Sequence, residues 1–96
     1  MVLTTVTANL VPAKIEEAAA LYNEEVLPIL RQQGVQQAYL AVDAVNNTMV
    51  EVTVWETQAQ ADASISSPER RAVIGRLAAV FASAPVRQTY DVKLSS

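Results

Sequence analysis

The chain has 96 residues, 51% of them apolar and 18% charged, with a net charge of −3 and neither cysteine nor histidine. That length fits one domain spanning 1–96; the chain is too apolar and too weakly charged for disorder, yet has no run approaching the ~18 uncharged apolar residues of a membrane helix. Disulfides and thiolate chemistry are excluded, the commonest metal ligand and neutral-pH base are missing, and the acidic balance argues against a nucleic-acid partner.

In chain order, Val2 to Ala8 are short and β-branched and read as a strand, ended by Asn9-Leu10-Val11-Pro12. Pro12 suits the first turn of a helix, where a missing N–H costs nothing. From Ala13 to Gln33 the period changes: Ile15, Ala18, Ala19, Tyr22, Val26, Ile29 and Leu30 draw one helical stripe. Pro28 lies inside that pattern and predicts a kink near Glu24–Pro28, and Gly34 suits a left-handed C-cap. Val35 to Asp43 and Thr48 to Trp55 read as a hairpin turning at Asn46-Asn47. Thr57 and Gln60 form a capping box for a short helix over Gln58–Ile65. Ser67 and Pro68 open another helix, whose apolar face is Val73, Ile74, Leu77 and Phe81. Val86 to Leu94 alternate as a last strand, with Gln88, Tyr90, Val92 and Leu94 on one face.

The order β-α-β-β-α-β is the ferredoxin-like arrangement, an α+β fold with an antiparallel sheet. On the third strand Val50, Val52 and Val54 share one face, while Met49, Glu51, Thr53 and Trp55 share the other. Neither is a plainly wet surface. The chain's own helices cover one; a second copy of the same sheet is the economical cover for the other, giving a homodimer. A monomer with a merely rough sheet face is the alternative. The opening MVLTTVTANLVP has no basic segment, so no signal peptide is expected and a cytoplasmic setting is inferred.

Three stretches carry a resemblance: E-E-V-L-P-I-L-R (Glu24–Arg31) followed by Gly34; V-T-V-W-E-T (Val52–Thr57) leading into a helix; and S-P-E-R-R (Ser67–Arg71) opening the next. In that order the chain resembles the antibiotic-biosynthesis-monooxygenase-like (ABM) domains of the dimeric α+β-barrel superfamily over nearly its whole length. The resemblance implies a homodimeric barrel with a pocket between sheet and helices in each subunit. It also implies oxygenation of a small aromatic or quinol-type substrate by O2 without metal, flavin or haem, so no cofactor is expected. The family's Trp at the end of the third strand matches Trp55. The Asn that polyketide-oxidising members place four residues earlier is Glu51 here, and their later Tyr has no counterpart among Ala59, Ala61 and Ala63. The His of haem-degrading relatives would fall around Arg70, and their Asn near Val6 or Thr7, with Asn9 out of phase. Haem cleavage is therefore disfavoured.

From the residues themselves, Glu51 is the candidate catalytic base, a carboxylate on an otherwise apolar strand whose burial would raise its pKa. Trp55 is the candidate stacking wall, Thr53 shares its face, and Tyr39 or Tyr90 are candidate pocket residues donating to an oxyanion. The plainer readings stand beside these: Trp55 as a core anchor, Glu51 paired with Arg87 across strands or turned to solvent, Tyr22 as packing. Arg70, Arg71 and Arg76 are read as a solvated helix face rather than an anion clamp. The Glu residues of the long helix have no metal-site pattern. The leading function is a cofactor-independent monooxygenase with an apolar pocket. The alternatives are a non-catalytic small-molecule-binding or sensing module and a purely structural dimer.

Overall fold

A computed structural model describes all 96 residues. Alternating side chains build the sheet from β1 (Val2–Asn9), β2 (Gln37–Asp43), β3 (Thr48–Trp55) and β4 (Val86–Asp91). Their spatial order is β2-β3-β1-β4, each neighbour antiparallel. This is the ferredoxin-like βαββαβ fold expected of the sequence. Asn47 turns the β2–β3 hairpin at φ 53°, a conformation that Asn tolerates. The Asp43 carboxylate accepts from Asn46 Nδ2 at 2.7 Å and from the Asn46 and Val45 amides. Those bonds, the Asn46 side chain first, hold its pKa below the ordinary value.

Register decides which residues share a face. Trp55 stands opposite Val2, Thr53 opposite Thr4, Glu51 opposite Val6 and Met49 opposite Ala8. These residues face the helices; β2 adds Leu40 opposite Glu51, and β4 adds Arg87 opposite Val6. The other face carries Leu3, Thr5, Val50 and Val52 with Tyr39, Val86 and Tyr90.

The first helical segment is three pieces: α1 (Ile15–Leu21), a π turn (Tyr22–Val26) and α2 (Leu27–Gln32). Where Pro28 predicts a kink the helix instead shows a π turn, with the Leu27 amide donating to the Tyr22 carbonyl. Loosening the turn just ahead of Pro28 eases the clash its ring would make with the carbonyl four residues back. Pro12 does not open the helix. It occupies the second position of a turn closed by Lys14 N–H to the Val11 carbonyl at 3.1 Å, with Ala13 at φ 68°. Proline favours that position because its ring presets φ. Gly34 takes φ 86° after α2, as its C-cap role requires.

α3 (Gln58–Ile65) starts on the Thr57–Gln60 capping box, with both reciprocal bonds formed. α4 (Pro68–Leu77) starts with Pro68 at N1, and Ser67 Oγ accepts from the Arg70 amide. A 3-10 turn (Ala78–Val80) leads toward β4, which ends at Asp91, so Leu94 lies beyond the strand and is exposed. The core lies between sheet and helices, centred on Trp55, Leu10, Leu30, Val26 and Val80. No helix is long and apolar enough to cross a membrane.

Candidate functional site

Between α4 and the helix-facing side of the sheet lies a cavity of about 220 Å3. Val6 from β1, Met49 and Glu51 from β3 and Arg87 from β4 form its sheet side. Val26 of the π turn, Ile65 of α3, Arg70, Ile74 and Leu77 of α4, and Phe81 and Pro85 from the following connection form the rest. The walls are mainly hydrocarbon, with three charged side chains among them. Ligand sites of roughly 300–1,000 Å3 are usual for drug-sized molecules, so this one suits a smaller ligand.

Glu51 is 6% exposed and Arg70 4% exposed. Arg70 Nη2 donates to Glu51 Oε1 at 2.9 Å. Burial pushes the Glu51 carboxyl above its ordinary pKa, while the charge and hydrogen bond of Arg70 oppose that rise. Tyr22 is buried nearby, and its phenol is held well above the ordinary range, first by burial and then by the Glu51 charge.

The Arg70 side chain is positioned by a polar network that ties three helices together. Its Nη1 reaches Ser64 Oγ at 3.5 Å, and Ser64 Oγ donates to Gln33 Oε1 at 2.6 Å. Gln33 Nε2 in turn donates to Ser67 Oγ at 3.0 Å, the hydroxyl that caps α4. The network spans the end of α2, α3 and the start of α4, and ends on β3.

Arg70 is therefore not on a solvated face. It precedes Val73 and Leu77 by three and seven residues, the spacing of one helical stripe, and that spacing was the available signal. The Glu51–Arg87 pairing is absent because β1 lies between β3 and β4, with Val6 opposite both residues. Arg87 instead donates to Asp62 Oδ1 at 3.2 Å.

Glu51, Thr53 and Trp55 share one strand face and come together. Trp55 Nε1 donates to Thr53 Oγ1 at 2.9 Å, and the indole is 1% exposed. Thr53 and Trp55 lie beside a second, much smaller void and outside the wall of the main cavity. Tyr39 stands opposite Val52 and Tyr90 opposite Leu3, so both are on the far side of the sheet from Glu51. Within one chain they do not line its cavity. Tyr90 donates its hydroxyl to Gln88. No group of three His, Cys, Asp or Glu side chains is placed to hold a metal ion.

No family profile matches the sequence of this chain, and no curated protein matches it. Solved structures match over nearly the whole chain. One is an antibiotic biosynthesis monooxygenase, with a TM-score of 0.80 and 18% identity over 96% of this chain and 98% of that one. A second is Rv0793 from Mycobacterium tuberculosis, with a TM-score of 0.81 and 13% identity over 99% and 97% of the two chains. A third is a conserved protein from Methanosarcina mazei, with a TM-score of 0.82 and 14% identity over 96% and 92%. The chain has the fold of the antibiotic biosynthesis monooxygenase structures. At these identities the likeness is one of fold, and function must be argued from the residues of the site.

Proposed function

We propose that this chain is a cytoplasmic, homodimeric, cofactor-independent monooxygenase that oxidises a small phenol or quinol with O2 in its apolar cavity. Glu51 carries this reading: it is the cavity's one carboxylate, buried among hydrocarbon, and burial raises its pKa toward that of a useful base. Glu51 takes the phenolic proton. The resulting phenolate gives one electron to O2, and the radical and superoxide join in a new C–O bond. Glu51 returns its proton to the outer oxygen of that peroxide. Loss of the ring hydrogen then breaks the O–O bond and expels hydroxide, which leaves with that proton as water. The balance is phenol plus O2 to quinone plus water.

The test is oxygen uptake across a panel of small phenols and quinols. Glu51→Gln is expected to lower turnover about 10²–10⁴-fold, the usual contribution of a general base, with ligand binding retained. The active form is the ionised one, so activity rises with pH through the Glu51 pKa. That rise should fall above the ordinary carboxylate range and vanish in the variant. Undiminished turnover in E51Q removes Glu51 from the reaction.

The Glu51–Arg70 pair favours a second reading, a binding module without turnover, because it occupies the carboxylate and stabilises its ionised form. Ligand binding without oxygen uptake anywhere in the panel selects it.

The homodimer is supported by the sheet's outer face. Tyr39 is 57% exposed, Val86 58% and Tyr90 48%, flanking Val50, Val52 and Leu3 on a surface no helix of the chain covers. Sedimentation is expected to show a dimer at micromolar concentration. Val52→Lys, which puts a charge at the centre of that face, is expected to give a folded monomer. A wild-type monomer overturns the dimer.

A further inference from the structure

Four buried side-chain polar atoms have no protein partner: Thr4 Oγ1, the Tyr22 hydroxyl, Arg70 Nε and Arg87 Nε. Thr4, Arg70 and Arg87 line one void of about 10 Å3 beside Glu51, Thr53 and Trp55. That is roughly the space of a single oxygen atom with its hydrogens. A guanidinium N–H left unpaired in the interior carries its desolvation penalty unrelieved. Three residues that each carry such an unpartnered polar atom line one oxygen-sized space, a lining that an acceptor would complete.

The void adjoins the main cavity, since Val6, Glu51, Ile65, Arg70 and Arg87 line both. A ligand in the cavity therefore lies against side chains that also wall the void. The charge balance of the shared wall has a sign. Two guanidinium groups face one carboxylate, which Arg70 already holds. Asp62 meets Arg87 from outside, where its own side chain is 56% exposed and water screens it. One positive charge of the wall lacks a buried counterpart.

We infer that this void is an oxyanion seat, in which Thr4, Arg70 and Arg87 hold a single anionic oxygen, carboxylate or phenolate, at the end of a ligand whose apolar body fills the main cavity. The inference rests on the cavity being a ligand site, as proposed above, and adds the ligand's charge and the residues that read it. Arg87 and Thr4 are the specificity residues, because Arg70 is already committed to Glu51.

Calorimetry on the full chain at neutral pH tests this with 2-naphthoate and its neutral isostere 2-naphthamide. Naphthoate is expected to bind about tenfold tighter or better, as charge-assisted hydrogen bonds exceed neutral ones. Arg87→Gln and Thr4→Val should each narrow that preference and leave naphthamide affinity in place. Titration with 2-naphthol separates the two oxyanions. The ultraviolet absorption of bound naphtholate, which appears whether the proton goes to Glu51 or to solvent, shows that the seat takes phenolates as well as carboxylates; binding of naphthoate alone shows a carboxylate seat. Equal wild-type affinity for naphthoate and naphthamide overturns the inference and leaves the cavity a ligand site. A preference that survives both substitutions also overturns it. Binding of none of the probes overturns the cavity reading, and this inference with it.

Discussion

Arg70→Met is expected to destabilise the fold by about 3–5 kcal/mol, measured by urea or thermal unfolding at neutral pH. The Glu51 and Arg70 side chains are 7% and 5% exposed, so solvent screens their pairing little. Removing the cation strands a carboxylate among hydrocarbon, and that uncompensated charge carries most of the cost. The loss is large against the roughly 5–15 kcal/mol that holds a native domain together. It should also depend on pH with a definite sign. Without Arg70, both influences that lower the Glu51 pKa disappear and burial alone remains to raise it. The folded variant then binds a proton more tightly than its unfolded chain. Its stability falls as pH rises from the ordinary carboxylate value through the raised folded one, so the penalty shrinks in mild acid. The double variant Glu51→Leu/Arg70→Met removes both charges and should recover most of the loss, since buried pairs replaced by apolar residues are often neutral or better. Such recovery would mean that stability alone does not require the pair. A double variant as unstable as R70M would instead assign the cost to lost packing or to the Ser64–Gln33 network.

What the sequence disclosed of this site follows from how far each signal reaches along the chain. Thr57 with Gln60, Ser67 with Pro68 and Asn46 with Asn47 act on their own backbones within four residues, and each does what local chemistry says. Period two likewise put Glu51, Thr53 and Trp55 on one face without any knowledge of neighbouring strands. Tyr39 and Tyr90 needed more. Whether a residue on β2 faces Glu51 depends on a register that pairs Leu40, rather than Tyr39, with it. A shift of one residue would exchange them, and that parity is set by the length of the turn from Asp43 to Thr48, which Asn46-Asn47 marks without specifying. Arg70 was obscured in another way. Its type suggests solvent and its helical spacing suggests the interior. The conflict is resolved only by a carboxylate nineteen residues earlier, brought opposite by the packing of α4 over β3. The π turn before Pro28 was equally hidden, since proline forbids one hydrogen bond without dictating whether a break or a π turn replaces it.

Trp55→Ala is expected to cost about 3–5 kcal/mol, the usual penalty for deleting a buried aromatic side chain, and to lower Tm by more than about 10 °C in a domain of this size. The indole is 1% exposed at the end of β3, facing Val2 across the strand pair, and stands in the main core cluster. Its one hydrogen bond goes to Thr53, a neighbour on the same strand, and it lies outside the wall of the main cavity. Those placements make it an anchor that fixes the end of β3 and, through Thr53, the floor of the small void. Trp55→Phe separates anchoring from ligand contact. Phenylalanine keeps most of the buried ring but gives Thr53 no N–H, so stability should drop by about 1–3 kcal/mol. Affinity for neutral naphthamide, whose body fills the main cavity that Trp55 does not line, should then stay near wild type. A W55F protein that melts like wild type yet loses naphthamide affinity would show the opposite: an indole that touches the ligand's apolar body, and a main cavity that extends deeper along β3 than Glu51.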